Sequence, residues 1–489
     1  MTQVMETMHH YKKLKVNLFA IVVVLCGFTV TSCSRSTDKA ERKSINQKYN
    51  FLFIAIDDLN DWTGFLGGHP QTLTPNMDKL ADESIVFEKA YCAASLCNPS
   101  RAALLTGYRP SSSGVYENEN FMRESKLLEN ALTLPQWLSK NGYYTMARGK
   151  IFHHADGLWA DPQSWDLHVN TEGNYGTTAE KKPGFKVNGM PRETTRSPSW
   201  DWGPTDGPVE ETPDYLNVKW ASEQLQKDYE KPFFLACGIY RPHLPWFVPQ
   251  EFFDKFELDK LVLPEMNLND YDDIPESGFK PSTTIDAIIK YDKRREGVQA
   301  YLASINYADM CVGILLDALS RSKYADNTIV ILWGDNGWHL GEKLRFGKVT
   351  LWEEGIRIPL IIKVPGVTKP GVRCERTVNL IDLYPTITEL AGVRHNAEND
   401  GRSIVPLLKN VNEEWSYPSV ITMHEGCHSV RDERYHYIRY KSGAEELYDS
   451  MLDSLEWTNL AGNPKYNHIK ERLESFIPTV NVSEIRRVK

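Results

Sequence analysis

Four short apolar runs, residues 51–56, 143–147, 232–237 and 328–332, each end in a cluster of ionisable or amide side chains. Unbroken apolar runs of this length read as strands buried on both faces. Helical patterns lie between them, notably over residues 214–227 and 297–320. Strands alternating with helices imply a mainly parallel sheet covered on both sides. In such sheets ligands bind beyond the carboxyl ends of the strands. The runs are followed by Asp57-Asp58, by Lys150-Ile151-Phe152-His153, by Arg241-Pro242-His243 and by Gly334-Asp335-Asn336-Gly337. One rim of the sheet therefore collects carboxylates, an amide, lysine and histidine.

Adjacent carboxylates after a buried strand call for a positive partner, and a hard divalent cation is the usual one. A solvated Asp-Asp turn is the competing reading. Asp57, Asp58, Asp335 and Asn336 are all oxygen donors, a set that suits Ca²⁺ or Mg²⁺ and does not suit zinc. Lys150, His153, His243, Lys348 and Arg101 supply positive charge and proton transfer.

The stretch Cys97-Asn-Pro-Ser-Arg-Ala-Ala-Leu-Leu-Thr-Gly107 reads as a helix start. Pro99 suits the first turn, the residues from Ala102 to Leu105 favour helix, and Gly107 is a stop. Cys97 then sits where free N–H groups and the helix dipole favour an anion, either a thiolate or a bound oxyanion. Arg101 follows by one turn on the same face. A small buried cysteine is the plainer reading.

The 489 residues allow one large core and a smaller one, here placed at residues 50–410 and 411–489. A net charge of −9 with no basic stripe argues against nucleic acid as a partner. Residues 1–33 read as an export signal: Lys12, Lys13 and Lys15 precede an apolar core, which ends in Val30-Thr31-Ser32-Cys33. Cys33 resembles the lipidated cysteine of a bacterial lipobox, which implies an exported protein at the outer membrane or in the periplasm, touching membrane only through its lipid. An ordinary cleaved signal is the alternative. Residues 34–49 read as a tether. The remaining cysteines show no metal-finger spacing.

Residues 154–213 and 250–290 carry no sustained period. Trp159, Trp165, Trp200 and Trp202 either stack on sugar rings or pin the first of these segments to the core. A helix is expected over residues 376–392 with Pro385 in its early part. The large domain closes at residues 401–408. Short strands near residues 436–440 and 446–449, with a helix over 465–476, imply a small antiparallel sheet packed on the large domain.

Cys-x-Pro-Ser-Arg followed by Leu-Leu-Thr-Gly resembles the signature of the type I sulfatases. Asp57-Asp58, Gly334-Asp335-Asn336-Gly337 and Lys150-x-x-His153 are similar to other elements of that family. Arg241-Pro242-His243-Leu244-Pro245, Gly341-Glu342-Lys343 through Lys348 and Leu351-Trp352-Glu353-Glu354 resemble its iduronate-2-sulfatase-like branch. Iduronate sulfatase itself has His where this chain has Asn336. The resemblance implies an alkaline-phosphatase-like α/β fold: a large, mixed, mostly parallel sheet between helices, with a small C-terminal α+β subdomain. It implies a sulfatase acting on a sulfated carbohydrate, with Cys97 oxidised to formylglycine by a formylglycine-generating or radical maturase. The hydrated aldehyde would be nucleophile and metal ligand, alongside Asp57, Asp58, Asp335 and Asn336. Arg101 and Lys150 would steady it, His153 would take its proton, His243 would protonate the leaving sugar oxygen, and Lys348 would hold sulfate. His243, Lys348, Trp338 and His424 are the candidate substrate-binding residues. A phosphate or phosphonate monoester hydrolase of the same superfamily is the alternative enzyme, and a glycan-binding lipoprotein without catalysis is the alternative of another class.

Overall fold

The computed structural model describes residues 48–172, 184–195, 197–394 and 397–487. The export signal with Cys33, and the tether as far as Gln47, lie outside the described residues. In chain order the strands begin with β1 (Asn50–Ile56), β2 (Ile85–Tyr91), β3 (Tyr144–Arg148), β4 (Leu167–Val169) and β5 (Trp202–Thr205). They continue with β6 (Phe233–Ile239), β7 (Trp246–Pro249), β8 (Thr328–Gly334), β9 (His339–Leu340), β10 (Phe346–Gly347) and β11 (Leu360–Lys363). The last are β12 (Val372–Asn379), β13 (Ser419–Thr422), β14 (His428–Arg431), β15 (Tyr435–Arg439) and β16 (Glu445–Asp449).

Eight strands form one sheet in the order β12-β2-β11-β8-β1-β6-β3-β4. β1 runs parallel to β6 and β8, β3 to β6 and β4, and β12 to β2. β11 runs against both of its neighbours. The mixed, mostly parallel sheet is thus the one that the alternation of runs and helices implies. Along β1, Phe51, Phe53 and Ala55 enter one apolar core and Leu52, Ile54 and Ile56 enter the other. A strand alternates its side chains between faces, so two covered faces demand an unbroken apolar run. Each large apolar side chain buried there contributes roughly 1.5–3 kcal/mol, which fixes the strand ends firmly.

The helix Arg294–Ser320 fills the second core, and the helix Cys97–Thr106 packs into the first. The expected helix over residues 376–392 is shorter. Residues up to Asn379 belong to β12, and the helix spans Leu383–Leu390 with Pro385 in its first turn. Arg373 and Glu375 point outward on either side of buried Cys374, an alternation of period two that marks a strand. The two aperiodic segments also hold regular structure: β4 extends the sheet edge, and Thr283–Lys290 is a helix capped by the Ser282 side chain.

The strands β13-β14-β15-β16 form an antiparallel sheet in that order, with the helix Asn467–Glu474 against it. It joins the large sheet near the Cys97 helix. Thr422 N–H donates to Ala93 O at 3.0 Å, and Asn379 Nδ2 donates to Ser419 Oγ at 2.7 Å.

Candidate active site

The strand ends deliver their side chains to one place. β1 runs into Asp57 and Asp58, both fully buried. Asp58 has φ 57°, a left-handed conformation that Asp tolerates. β8 runs into Asp335 and Asn336, also fully buried. After β3, Gly149 with φ +84° lets the chain pass so close to β6 that an added Cβ would lie 2.0 Å from Gly238 O. That approach sets Lys150 beside β1. The hairpin β9–β10 carries Lys348 at its end, and the next residue, Val349, holds φ 70° while its N–H donates to Ser95 O at 3.2 Å. A left-handed valine is strained, and such strain collects at functional sites.

Cys97 opens its helix, with Leu96 in extended conformation before it. Its thiol lies 3.7 Å from Asp58 Oδ1, and Lys348 Nζ donates to its sulfur at 2.7 Å. Lys348 also donates to Asp58 Oδ1. Lys150 Nζ donates to Asp57 Oδ2 at 2.5 Å. Arg101 bridges two carboxylates, with Nε 2.7 Å from Asp335 Oδ2 and Nη2 3.2 Å from Asp57 Oδ1. Its Nη1 serves the carbonyls of Lys150 and Ile151 at 2.6 and 3.0 Å. Arg101 therefore organises the carboxylates rather than bonding to Cys97.

The electrostatics follow. Burial alone would raise the Asp57 carboxyl, but Lys150, His243 and Arg101 together hold it below the usual range. Burial is likewise outweighed at Asp58 by Lys348 and His243. Burial and the charge of Asp57 push the Cys97 thiol well up. Sequence left a thiolate open at this helix start; among these carboxylates the thiol keeps its proton. The helix dipole is the smaller effect here.

The donor set fits a hard cation. Asp57, Asp58, Cys97 and Asp335 each offer an atom within 4.8 Å of the others. Asp58 Oδ2 and Asn336 Oδ1 are buried oxygens without a hydrogen-bond partner. An orphaned buried oxygen is costly, and oxygens grouped with two more carboxylates suit Ca²⁺ or Mg²⁺.

A cleft of about 460 Å³ opens here, lined by Lys150, His153, His154, Asn118, Tyr240 and His243 among others. His243 lies with Nε2 3.8 Å from Asp58 Oδ2 and Nδ1 2.5 Å from Leu244 O. A carbonyl only accepts, so Nδ1 carries the hydrogen and Nε2 faces the carboxylate. Burial lowers its basicity. His153 has Nδ1 buried without a partner. Burial, then Lys150, push it far toward the neutral form.

Two expected substrate residues lie elsewhere. Trp338 is 4 % exposed and carries Lys348 Nζ 5.7 Å from its ring centre. It backs Lys348 and does not line the cleft. His424 pairs with Glu117 at 2.5 Å, next to the cleft residue Asn118. Trp165 and Trp202 are buried core residues, and Trp200 packs on Trp338, which is the pinning role. Trp159 lies half-buried, stacked on His154. Sequence reasoning missed Asn118, Tyr240 and Tyr301, whose hydroxyl donates to Asp58 O at 2.7 Å. They come from a loop, a strand end and mid-helix, where no motif announces them.

Residues 49–393 match the family model described as Sulfatase, and residues 341–482 match that described as N-sulphoglucosamine sulphohydrolase, C-terminal. A protein named sulfatase from Formosa agariphila is 35% identical, over 94% of this chain and 92% of that one. Human iduronate 2-sulfatase is 30% identical, over 75% of this chain and 74% of its own length. A solved structure described as a complex with its substrate D-glucosamine-2-N,6-O-disulfate superposes with a TM-score of 0.69 at 22% identity, covering 88% of this chain and 96% of that one.

Proposed function

This chain belongs to the sulfatase family, the sulfuric ester hydrolases, and on that premise we propose that it removes sulfate from a carbohydrate at the cleft above Cys97. The observation that carries the reading is the contact of Lys348 with Cys97 inside a ring of buried oxygen donors. The relatives' names support a sugar substrate: one is an iduronate 2-sulfatase and one structure holds a sulfated glucosamine.

The reading requires formylglycine, made from Cys97 by a maturase, and a divalent cation, Ca²⁺ in preference to Mg²⁺, held by Asp57, Asp58, Asp335 and Asn336. Formylglycine supplies a hydrated aldehyde oxygen as nucleophile, and the cation supplies charge that offsets the sulfuryl oxygens. Cys97 and the whole of its first helical turn are buried, so conversion precedes folding. Lys348 and Lys150 hold positive charge beside the reacting position and orient the sulfate. Arg101 bridges Asp57 and Asp335 and helps to hold the Asp57 carboxyl ionised. His153, held neutral with a free buried Nδ1, is poised to accept a proton. His243 presents Nε2 toward the cleft, and an anionic ester beside it favours its protonated form, which then serves the leaving sugar oxygen. A lipid on Cys33 would hold the enzyme at a bacterial outer membrane or in the periplasm.

Sulfate release from defined sulfated mono- and disaccharides, beside the matching phosphate esters, tests the proposal. Sulfate release with phosphate esters untouched is the expected result; preferential phosphate release would replace the reading with that of a phosphomonoester hydrolase.

A further inference from the structure

Asn118 stands in the cleft wall with Lys150, His153 and His243. One contact orients its amide: Oδ1 accepts the backbone N–H of Asn98 at 3.1 Å. Asn98 is the second residue of the Cys97 helix, so this N–H is among those that the helix leaves without a carbonyl partner. Only the amide oxygen can meet an N–H, so the NH₂ group must occupy the other branch of the planar amide, turned from the helix.

The loop that carries Asn118 is braced on both sides. Asn98 Nδ2 donates to Glu117 O at 2.9 Å and to Asn120 O at 2.7 Å. Asn120 Oδ1 accepts the N–H groups of Tyr116 and Glu117 at 2.9 and 2.7 Å, and its Nδ2 donates to Ile485 O at 3.0 Å. Tyr116 donates its hydroxyl to Val482 O at 2.8 Å. The C-terminal segment thus straps the loop from outside while the Cys97 helix holds it from inside. A donor fixed in this way loses little freedom when a ligand arrives.

We propose that Asn118 is a substrate-contact residue, its NH₂ donating to an oxygen of the sugar that bears the sulfate. The inference rests on the carbohydrate-sulfatase reading above. Lys150 and the histidines beside it match a charged ester. The hydroxyls of Tyr240 and Thr171 in the same wall already donate to Leu244 O and Asn217 Oδ1, whereas the Asn118 NH₂ is left to read the position of a neutral acceptor such as a hydroxyl or an acyl carbonyl. A site built to hydrogen-bond one substrate oxygen discriminates against sugars that lack it.

Two variants separate contact from support. Asn118→Asp keeps the oxygen that accepts from Asn98 and removes the outward donor; Asn118→Ala removes both. Full-length matured protein is assayed for sulfate release on the sulfated mono- or disaccharide that the parent hydrolyses fastest. Sulfate release by the parent is read first, so a silent parent counts against the reading of the site and not against Asn118. Both variants should lose roughly 10-fold or more in kcat/KM, about the worth of one hydrogen bond to substrate. The melting temperature of Asn118→Asp should stay at the parent value. Parent-like kinetics in Asn118→Asp, with activity and melting temperature falling in Asn118→Ala alone, would overturn the proposal and leave Asn118 a helix cap.

Discussion

The ammonium of Lys348 stands 2.7 Å from the sulfur of Cys97 and donates also to Asp58 Oδ1. One cation thus touches both the residue proposed as nucleophile precursor and a proposed metal ligand. Trp338 lies beneath it, and the strained Val349 follows it. Removing a group that stabilises charge in the transition state typically lowers kcat by 10²–10³, and Lys348→Ala should fall in that range. Initial rates of sulfate release measure this. A loss below about 3-fold would remove Lys348 from the reaction.

The orphaned oxygens of Asp58 and Asn336 lead to the second expectation. Chelation should lower both activity and melting temperature, and Ca²⁺ should restore them better than Zn²⁺. A cation at 100 times its dissociation constant adds about 2.7 kcal/mol to stability. Full activity in protein shown by elemental analysis to hold no metal would contradict the assignment.

His243 presents Nε2 at the cleft, 3.8 Å from Asp58 Oδ2. A general acid matters most for a poor leaving group. His243→Ala should therefore damage hydrolysis of a sugar sulfate by roughly 10²- to 10⁴-fold, and hydrolysis of an activated aryl sulfate far less. Equal losses on the two substrates, in a variant that melts normally, would leave His243 a sulfate ligand or a structural residue.

His428 of β14 gives stability a pH dependence away from the catalytic groups. It is 2 % exposed. Its Nε2 meets Asn481 Oδ1 at 2.8 Å and its Nδ1 meets the Thr422 hydroxyl at 3.0 Å. The amide oxygen only accepts, so Nε2 carries a hydrogen, and in the neutral ring Nδ1 accepts from the Thr422 hydroxyl. Burial lowers its pKa to about 4 from the ordinary histidine value of 6.5. The folded value lies below the unfolded one, so this contribution is fully present above pH 6.5 and is lost as pH falls toward 4. At about 1.4 kcal/mol per unit the loss is about 3 kcal/mol. Denaturant unfolding from pH 7 to pH 4 should show His428→Gln losing less stability than the parent by that order. Parallel slopes would refute the account of His428.

Much of the site was legible because its chemistry sits at strand ends. Asp57-Asp58, Lys150, His153, His243 and Asp335-Asn336 each follow an apolar run, and a parallel sheet brings such ends together whatever the loops do. What was not legible depends on pairing between distant segments. The end of β12 was hidden because residues 376–379 run without a break into the apolar stretch of the helix Leu383–Leu390, and nothing local separates the two. The reversed β11 has no local marker, since strand direction is set by neighbours. Trp338 read as a substrate residue because a tryptophan beside a ligand motif has no visible depth; burial placed it under Lys348. Asn118 acquires meaning only from the N–H of Asn98, twenty residues earlier.

The most direct measurement is the mass of the peptide that carries Cys97, taken from protein that is releasing sulfate. The expected side chain is one in which the CH₂SH of cysteine has become an aldehyde. Accumulation of that form should require a maturase during synthesis, because the folded chain buries Cys97 completely. An unmodified cysteine throughout protein that turns over at full rate would contradict the account at its centre.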